Sequence, residues 1–201
     1  MKIHSLMIPK PITITENASV SEAIELMKIN SIRHLPVVSE NNLLAGLVTL
    51  ADLKQGLIPS MVAGVTLLDL IIKKPVTVDP DDDIEIAAQL IYRHKIGGMP
   101  VVKNGKLAGI ITGTDILRTF IEMMGMLTAS SRIDVVIGEK TGTFKKALQI
   151  INDNGGDIIN VGMTAQLANK RTHYFRLSAC KTDIIKKALE EEGFEVLDAM
   201  D

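Results

Sequence analysis

In residues 1 to 125, the same succession of apolar and polar patterns occurs twice. Each pass contains a stripe of apolar residues at the spacing of a helical face: Val20, Ala23, Ile24 and Met27, then Ile84, Ala87, Ala88 and Ile91. Ser19 with Glu22 forms a capping-box pattern before the first stripe, and Asp83 takes the cap position before the second. Two short apolar runs follow each helix, LPVV and LLAGLVTL, then MPVV and KLAGIIT. Both passes predict strand, helix, strand, strand, helix.

The two passes are an internal repeat, because residues 6 to 53 align on residues 70 to 116. LMIPKPITI matches LIIKKPVTV, and IRHLPVV matches IGGMPVV. The register shifts by one residue where SENNLLAG meets the shorter KNGKLAG, whose Asn104-Gly105 pair is a favoured hairpin turn. A three-stranded sheet with helices on one side is too small to bury both surfaces, so we expect the repeats to pack sheet to sheet.

A different pattern begins at Ile133, after the small polar segment MLTASSR. RIDVVIGE reads as a strand, and Phe144, Ala147, Leu148 and Ile151 mark the face of a following helix. DIINVGMTAQ and THYFRLSA predict a hairpin across LANKR. A second helix runs from Thr182, its expected N-cap, to Glu192 before Gly193, and FEVLDA closes as a strand. The order βαββαβ is the ferredoxin-like one.

The predicted fold class is therefore α+β. Repeat 1 is assigned to residues 1 to 60, repeat 2 to residues 61 to 125, a linker to residues 126 to 132 and a C-terminal domain to residues 133 to 201. The two repeats are expected to form a pair related by a pseudo-two-fold axis.

The composition and charge of the chain argue against several classes of function. The 201 residues are 46% apolar, and 22 basic against 24 acidic residues leave a net charge of −2, which disfavours nucleic acid as a partner. The start, MKIHSLMIPK, has a proline where a signal peptide needs its apolar run, and SMVAGVTLLDLII is interrupted by Asp69 and too short to span a bilayer. We expect a cytoplasmic protein with no membrane partner. A lone Cys180 forms no internal disulfide.

The candidate chemistry lies in the doubled phrase that ends each repeat, GLVTLAD and GIITGTD. Thr49 and Thr112 end a strand, and Asp52 and Asp115 follow one helical turn later, where free backbone N–H groups favour a phosphate. A carboxylate can accept both hydroxyls of a ribose, so the aspartates are candidate ribose binders and the threonines candidate phosphate or ribose contacts. The alternative is that both aspartates only cap helices.

Residues 1 to 125 resemble paired CBS domains, the tandem called a Bateman module, through HLPVV, GMPVV and the doubled phrase. The resemblance implies two clefts that accept adenosine-containing ligands such as AMP, ATP or S-adenosylmethionine. It places the base beside two sets of residues, which otherwise belong to the sheet core: Ile12, Thr13 and Leu35 in one cleft, and Val76, Thr77 and Met99 in the other.

The two clefts are not equivalent in sequence. Repeat 1 carries Arg33 and His34 where repeat 2 carries Gly97 and Gly98. Arg118 lies one turn after Asp115, at a position that Gln55 holds in repeat 1. A cation near either cleft selects for phosphate charge, so His34 and Arg118 join the candidate nucleotide-binding residues.

The tail resembles an ACT domain, a regulatory unit that often binds amino acids between copies. Gly142 in GEKTGTF matches the turn glycine of that family, whereas Thr141 replaces its usual proline. Gly142 and Asp157 are candidate ligand contacts, with a turn glycine and a strand-entry aspartate as the alternative.

A CBS pair followed by an ACT-like domain is similar to the acetoin-utilisation accessory proteins called AcuB. The resemblance implies a non-catalytic regulatory protein, a homodimer that senses an adenine nucleotide and acts on an unknown regulated protein. The alternative is a structural or dimerisation adaptor with vestigial clefts; an enzyme acting on the nucleotide lacks a recognisable nucleophile. We expect no catalytic residue, no required cofactor and no metal site, since His4, His94 and His173 lack metal-ligand spacing.

Overall fold

The computed structural model describes residues 1 to 55, 66 to 164 and 170 to 201. Part of the apolar segment at residues 60 to 72 and part of the predicted LANKR connection lie outside the described residues. Two compact units emerge, Met1–Leu117 and Arg118–Asp201. The division falls inside one helix, upstream of the predicted linker.

The first repeat contains the predicted elements with small shifts at their ends. After a short strand β1 (Ile8–Pro9) come α1 (Val20–Ile29), β2 (His34–Val38), β3 (Leu44–Thr49) and α2 (Leu50–Gln55). The capping box at Ser19 is confirmed, because the Ser19 hydroxyl accepts the Glu22 N–H and the Glu22 carboxylate accepts the Ser19 N–H. In place of the strand predicted after Pro11, the structure has a single parallel bridge between Ile14 and Val37.

The second repeat follows the same order. It comprises α3 (Leu67–Leu70), α4 (Ile84–His94), β4 (Gly98–Lys103), β5 (Lys106–Thr112) and α5 (Gly113–Met123). Asn104 and Gly105 both have positive φ, of 51° and 78°, as the predicted two-residue turn requires. Asp83 holds the N-cap position of α4, but its carboxylate pairs with the Lys2 ammonium at 3.0 Å instead of capping the helix.

Each repeat core is completed by a segment from outside that repeat. Ile3 is fully buried in the second core, and Leu67 and Ile71 are buried in the first. The backbone repeats this exchange, because Ile8 pairs with Ile110 on β5 while Ile72 exchanges two hydrogen bonds with Leu47 on β3. The repeats are therefore interlocked, in addition to being neighbours.

The second unit is one antiparallel sheet with two helices. β6 (Ser130–Gly138), α6 (Thr143–Asp153), β7 (Ile158–Met163), β8 (Lys170–Ser178), α7 (Asp183–Glu191) and β9 (Glu195–Met200) follow in chain order, and the strands lie in the order β7-β8-β6-β9. The core is formed by one face of the sheet and the inward faces of both helices, including Val135, Ala147, Phe175 and Leu189.

Two details of this unit differ from the sequence interpretation. β6 begins at Ser130, inside the segment predicted as a linker, because the buried Ser131 hydroxyl bonds to the backbone of Cys180. Thr182 is the N-cap of α7, but its hydroxyl and N–H both donate to Asp201, at 2.9 and 2.8 Å, and not within the helix. The hydrogen bond from the Lys181 ammonium, together with these two bonds, lowers the pKa of Asp201 to about 2.

We predict that Gly46→Ala destabilises the first unit by about 1–3 kcal/mol, the usual cost of overpacking. A Cβ at Gly46 would lie 2.8 Å from the backbone oxygen of Ile72, in the segment that completes the first core. Gly113→Ala is the matched control, since a Cβ there meets neighbours only at 3.8 Å. Thermal unfolding of both variants tests this, and equal stabilities would show that the exchanged segment moves aside without cost.

Candidate functional site

A cavity of about 690 Å³ opens in the first unit between the two repeats. The junction of β3 and α2, with Thr49 and Asp52, forms one wall. The opposite wall comes from the segment before α4, including Ile72 and Val76, and from Gly97 after α4. Its volume lies in the range of small-molecule sites.

Thr49 and Asp52 are joined by three short-range hydrogen bonds. Asp52 Oδ2 accepts the Thr49 hydroxyl at 2.5 Å and the Thr49 N–H at 3.1 Å, while the Thr49 hydroxyl accepts the Asp52 N–H at 3.4 Å. Thr112 and Asp115 repeat this arrangement, with the first two distances at 2.6 and 2.8 Å. Both phrases therefore act as capping boxes for the helices that follow.

A third Thr-x-x-Asp box shows that the arrangement alone does not mark a ligand site. Asp69 Oδ2 accepts the hydroxyl and N–H of Thr66 in the same way, at 2.7 and 2.9 Å, on the exposed turn that begins α3. Asp69 does not belong to the described lining of the cavity, whereas Asp52 does. Position at the cavity wall is what distinguishes Asp52.

The second oxygen of Asp52 is available to a ligand. Both bonds that its carboxylate accepts end on Oδ2, and no described residue donates to Oδ1. Asp52 as a whole is half-buried and belongs to the cavity wall. The capping role and a ligand role are therefore compatible in one carboxylate, and the ribose contact of Asp52 stays a prediction.

The residues predicted to flank the base are dispersed. Among them, Val76 lines the cavity, on the wall opposite Asp52. Leu35 and Met99 are fully buried in the cores of the two repeats, which is the core role that the sequence left open. The remaining three lie outside the described lining: Ile12, Thr13 and Thr77. Because the segments before α1 and α4 each pair with the other repeat, a cleft joins Thr49 and Asp52 to Val76 and not to Ile12.

His34 lines the cavity, as its place in the sequence suggested. A Cβ on Gly97 would come within 2.8 Å of its Nε2 atom, so the glycine leaves room for the ring. Burial and the neighbouring Arg33 lower the pKa of His34, and Asp52 opposes them. The ring is therefore neutral in the folded protein near pH 7. Arg118, by contrast, pairs with Glu122 at 2.8 Å along α5.

The cavity lining also includes three lysines that were not predicted from the sequence as site residues: Lys54, Lys74 and Lys95. They lie at separated points of the chain, and no motif marks them. Only the segment exchange brings them to one cavity. One signal was present in the sequence. The repeat alignment pairs Lys54 with Leu117 and Lys95 with Ser31, so these two positive charges occur in one repeat only.

The second unit has a separate cavity of about 540 Å³ beside the start of α6. Gly142, with φ of 89°, is the N-cap of α6 and lines this cavity. Asp157 accepts the Ser178 hydroxyl at 2.8 Å and is not part of the described lining. The two predicted ACT-type contacts are thus at different places in the unit.

The described residues contain neither a helix that could cross a membrane nor a cluster that could hold a metal ion. None of their helices has the length and apolarity that a membrane crossing requires. No cluster of three or more histidine, cysteine or acidic side chains in that part of the chain has the geometry of a metal site.

A family model described as CBS domain matches residues 3–58 and 67–122. Among curated relatives, a homoserine O-acetyltransferase of Methanocorpusculum labreanum is 36% identical over 115 residues. That match covers 56% of this chain but 23% of the relative, so the chain spans less than a quarter of that enzyme's length.

Solved structures match the same part of the chain. A protein of Vibrio cholerae assigned to acetoin utilisation (AcuB) is 30% identical, with a TM-score of 0.57 over 63% of this chain and 94% of that one. A CBS domain pair in complex with 5′-methylthioadenosine and S-adenosyl-L-methionine is 28% identical, with a TM-score of 0.56 over 60% and 95%. CBSX2 of Arabidopsis thaliana in complex with AMP is 30% identical, with a TM-score of 0.54 over 60% and 96%.

We predict that His34 makes stability fall as the pH drops. Its pKa is lowered in the folded protein, so the unfolded chain binds the proton more tightly and stability is lost from about pH 6.5 downwards through the folded pKa. His34→Gln removes this contribution, so its melting temperature should fall less than that of the wild type between pH 7.5 and pH 5. Replacing the exposed His94 by glutamine is the control; equal losses in all three proteins would contradict the prediction.

Proposed function

The chain belongs to the CBS-domain family, and from that premise we propose that it is a regulatory protein that senses an adenosine-containing ligand in its paired repeats. Similar CBS pairs have been solved with AMP, 5′-methylthioadenosine and S-adenosyl-L-methionine, which supports this ligand class. A ligand regulates by binding two states of the protein unequally. The interlocked repeats supply a structure whose two halves both contact the ligand.

The observation that carries the proposal is the position of Asp52. Its Oδ2 atom is held by Thr49, while Oδ1 remains available on the wall of a cavity large enough for a nucleoside. The ribose hydroxyls would donate to Oδ1, the purine would pack against the apolar wall at Ile72 and Val76, and His34 with its cationic neighbours would face the phosphate end. Asp115 is proposed as the ribose contact of the second cleft.

We propose that the protein is not an enzyme. The homoserine O-acetyltransferase relatives match over the repeat region, a small share of their length, so their activity does not transfer with the match. The described lining of the cavity presents one carboxylate, one hydroxyl and several cations, which suit reversible binding. The unknown regulated protein is the expected recipient of the signal.

The C-terminal unit is proposed to be an ACT-like regulatory domain. Its element order βαββαβ and its sheet order β7-β8-β6-β9 support the ferredoxin-like assignment. The cavity beside Gly142 is its proposed site for a small ligand such as an amino acid. Asp157, already bonded to Ser178, is the weaker of the two contacts proposed there.

We predict that Asp52→Asn weakens binding of AMP about 10- to 150-fold. The substitution keeps a capping side chain but loses a charge-assisted bond worth about 1.5–3 kcal/mol, where 1.4 kcal/mol is tenfold. Asp69→Asn is the matched control, because it alters the same box away from the cavity. Calorimetric titration measures both.

The same titration with deoxyadenosine monophosphate separates the alternatives. The wild type should bind it more weakly than AMP, by a factor similar to that of the substitution. If neither the sugar nor the substitution matters, Asp52 is a helix cap alone. If the wild type binds no adenosine-containing ligand, the clefts are vestigial, and the result favours the structural or dimerisation adaptor over the ligand sensor.

We predict that the protein forms a homodimer through the end of α5 and the segment after it. Four apolar side chains there are 40% exposed or more: Phe120, Met123, Met126 and Leu127. Exposed apolar residues in a cluster favour association with a partner surface. Sedimentation velocity at micromolar concentration should show a dimer, and Met126→Glu with Leu127→Glu should shift it to the monomer. A monomeric wild type would overturn this.

A further inference from the structure

We propose that the cavity beside Asp52 selects for adenine nucleotides that carry several phosphates and against the cationic S-adenosylmethionine. The inference rests on the proposed function and adds the charge of the ligand. Four permanent cations face one carboxylate among the described residues of the lining: Arg33, Lys54, Lys74 and Lys95, against Asp52. The whole chain has a net charge of −2, so this wall has the opposite sign to the molecule.

These cations have no acidic partner in the described structure. The ion pairs that the structure contains involve other lysines and arginines, and the residues outside the described ranges include no aspartate or glutamate. A cleft lined by one sign of charge concentrates the field of its groups and attracts a ligand of opposite sign. Phosphate oxygens are the natural acceptors for such donors.

The positions equivalent to this lining in the other half of the repeat pair keep part of the charge, since Lys74 aligns with Lys10, whereas Arg33, Lys54 and Lys95 align with no cation. Matched backbone contacts relate the two repeats: the Leu50 N–H donates to the Arg33 carbonyl, and the Gly113 N–H donates to the Gly97 carbonyl. The repeat alignment carries Lys54 onto Leu117 and Lys95 onto Ser31.

Lys95 and Ser31 share a φ of 53°, which confirms that the two positions are equivalent in structure. Two cations of this cavity are thus an apolar and a small polar residue at the equivalent positions of the other repeat. The fold needs neither lysine, and a ligand explains both.

The positions of the cations favour an extended phosphate chain over a single phosphate. Arg33 precedes β2 and Lys54 lies in α2 of the first repeat, whereas Lys74 and Lys95 come from either side of α4 in the second. Charges on both walls can each meet a different phosphate. S-adenosylmethionine carries a sulfonium cation, which the same charges repel.

Calorimetric titrations with adenosine, AMP, ADP, ATP and S-adenosylmethionine, without magnesium, test the proposal. Affinity should rise with each phosphate, fall as salt is added, and be lowest for S-adenosylmethionine. In the double variant Lys54→Leu and Lys95→Ser, which introduces the residues of the two equivalent positions, ATP should bind about 10-fold more weakly while adenosine is unaffected. Lys28→Ser, an exposed lysine outside the cavity lining, is the control.

The outcomes separate this inference from the proposed function. If none of the five compounds binds, the proposed function fails and the inference with it. If adenosine binds but phosphates add nothing, or if the double variant keeps the wild-type affinity for ATP, sensing stands and the charge selection is overturned. The melting temperature of the free variant, expected within a few degrees of the wild type, shows that a lost affinity is not lost folding.

Discussion

The exchange of segments between the repeats is the constraint on which the first unit depends. Ile72 pairs with Leu47, and Ile8 pairs with Ile110, so each sheet is extended by backbone from the other half. Gly46 allows one of these segments to approach without a Cβ in its way. The same exchange places the segment before α4 against the end of β3, which creates the cavity. The candidate site is therefore a product of the interlocking and belongs to neither repeat alone.

Asp52 combines a capping role, which the structure contains, with the proposed role in ligand recognition. Its Oδ2 atom closes a capping box with Thr49, a task that Asp69 performs for Thr66 without any cavity. A ligand that takes Oδ1 leaves the cap intact, so binding adds to the stability of α2 and does not compete with it. The proposed selection for phosphate charge rests on the cations of the same wall.

Most helices, caps and turns of the fold could be predicted from the sequence, because local rules determine them. Helical periodicity, the capping box at Ser19 and the Asn104-Gly105 turn each depend on residues a few positions apart. The site was accessible only in part. Val76 belongs with Asp52, and Ile12 does not, because the pairing crosses from one repeat to the other. Lys54, Lys74 and Lys95 share no motif, and they come together only through long-range pairing that a pattern along the chain cannot show.

The pairing of Ile8 with Ile110 also affects how the chain folds as it is made. The two residues are separated by about 100 positions in the sequence, so their pairing is a long-range contact that raises the contact order of the first unit. At about 5–20 residues per second, β5 leaves the ribosome roughly 5–20 seconds after β1. During that time the β1 segment has no sheet to join, and Ile3, which the folded unit buries completely, is an exposed apolar residue on the nascent chain. A chaperone that binds short apolar segments would find a target there.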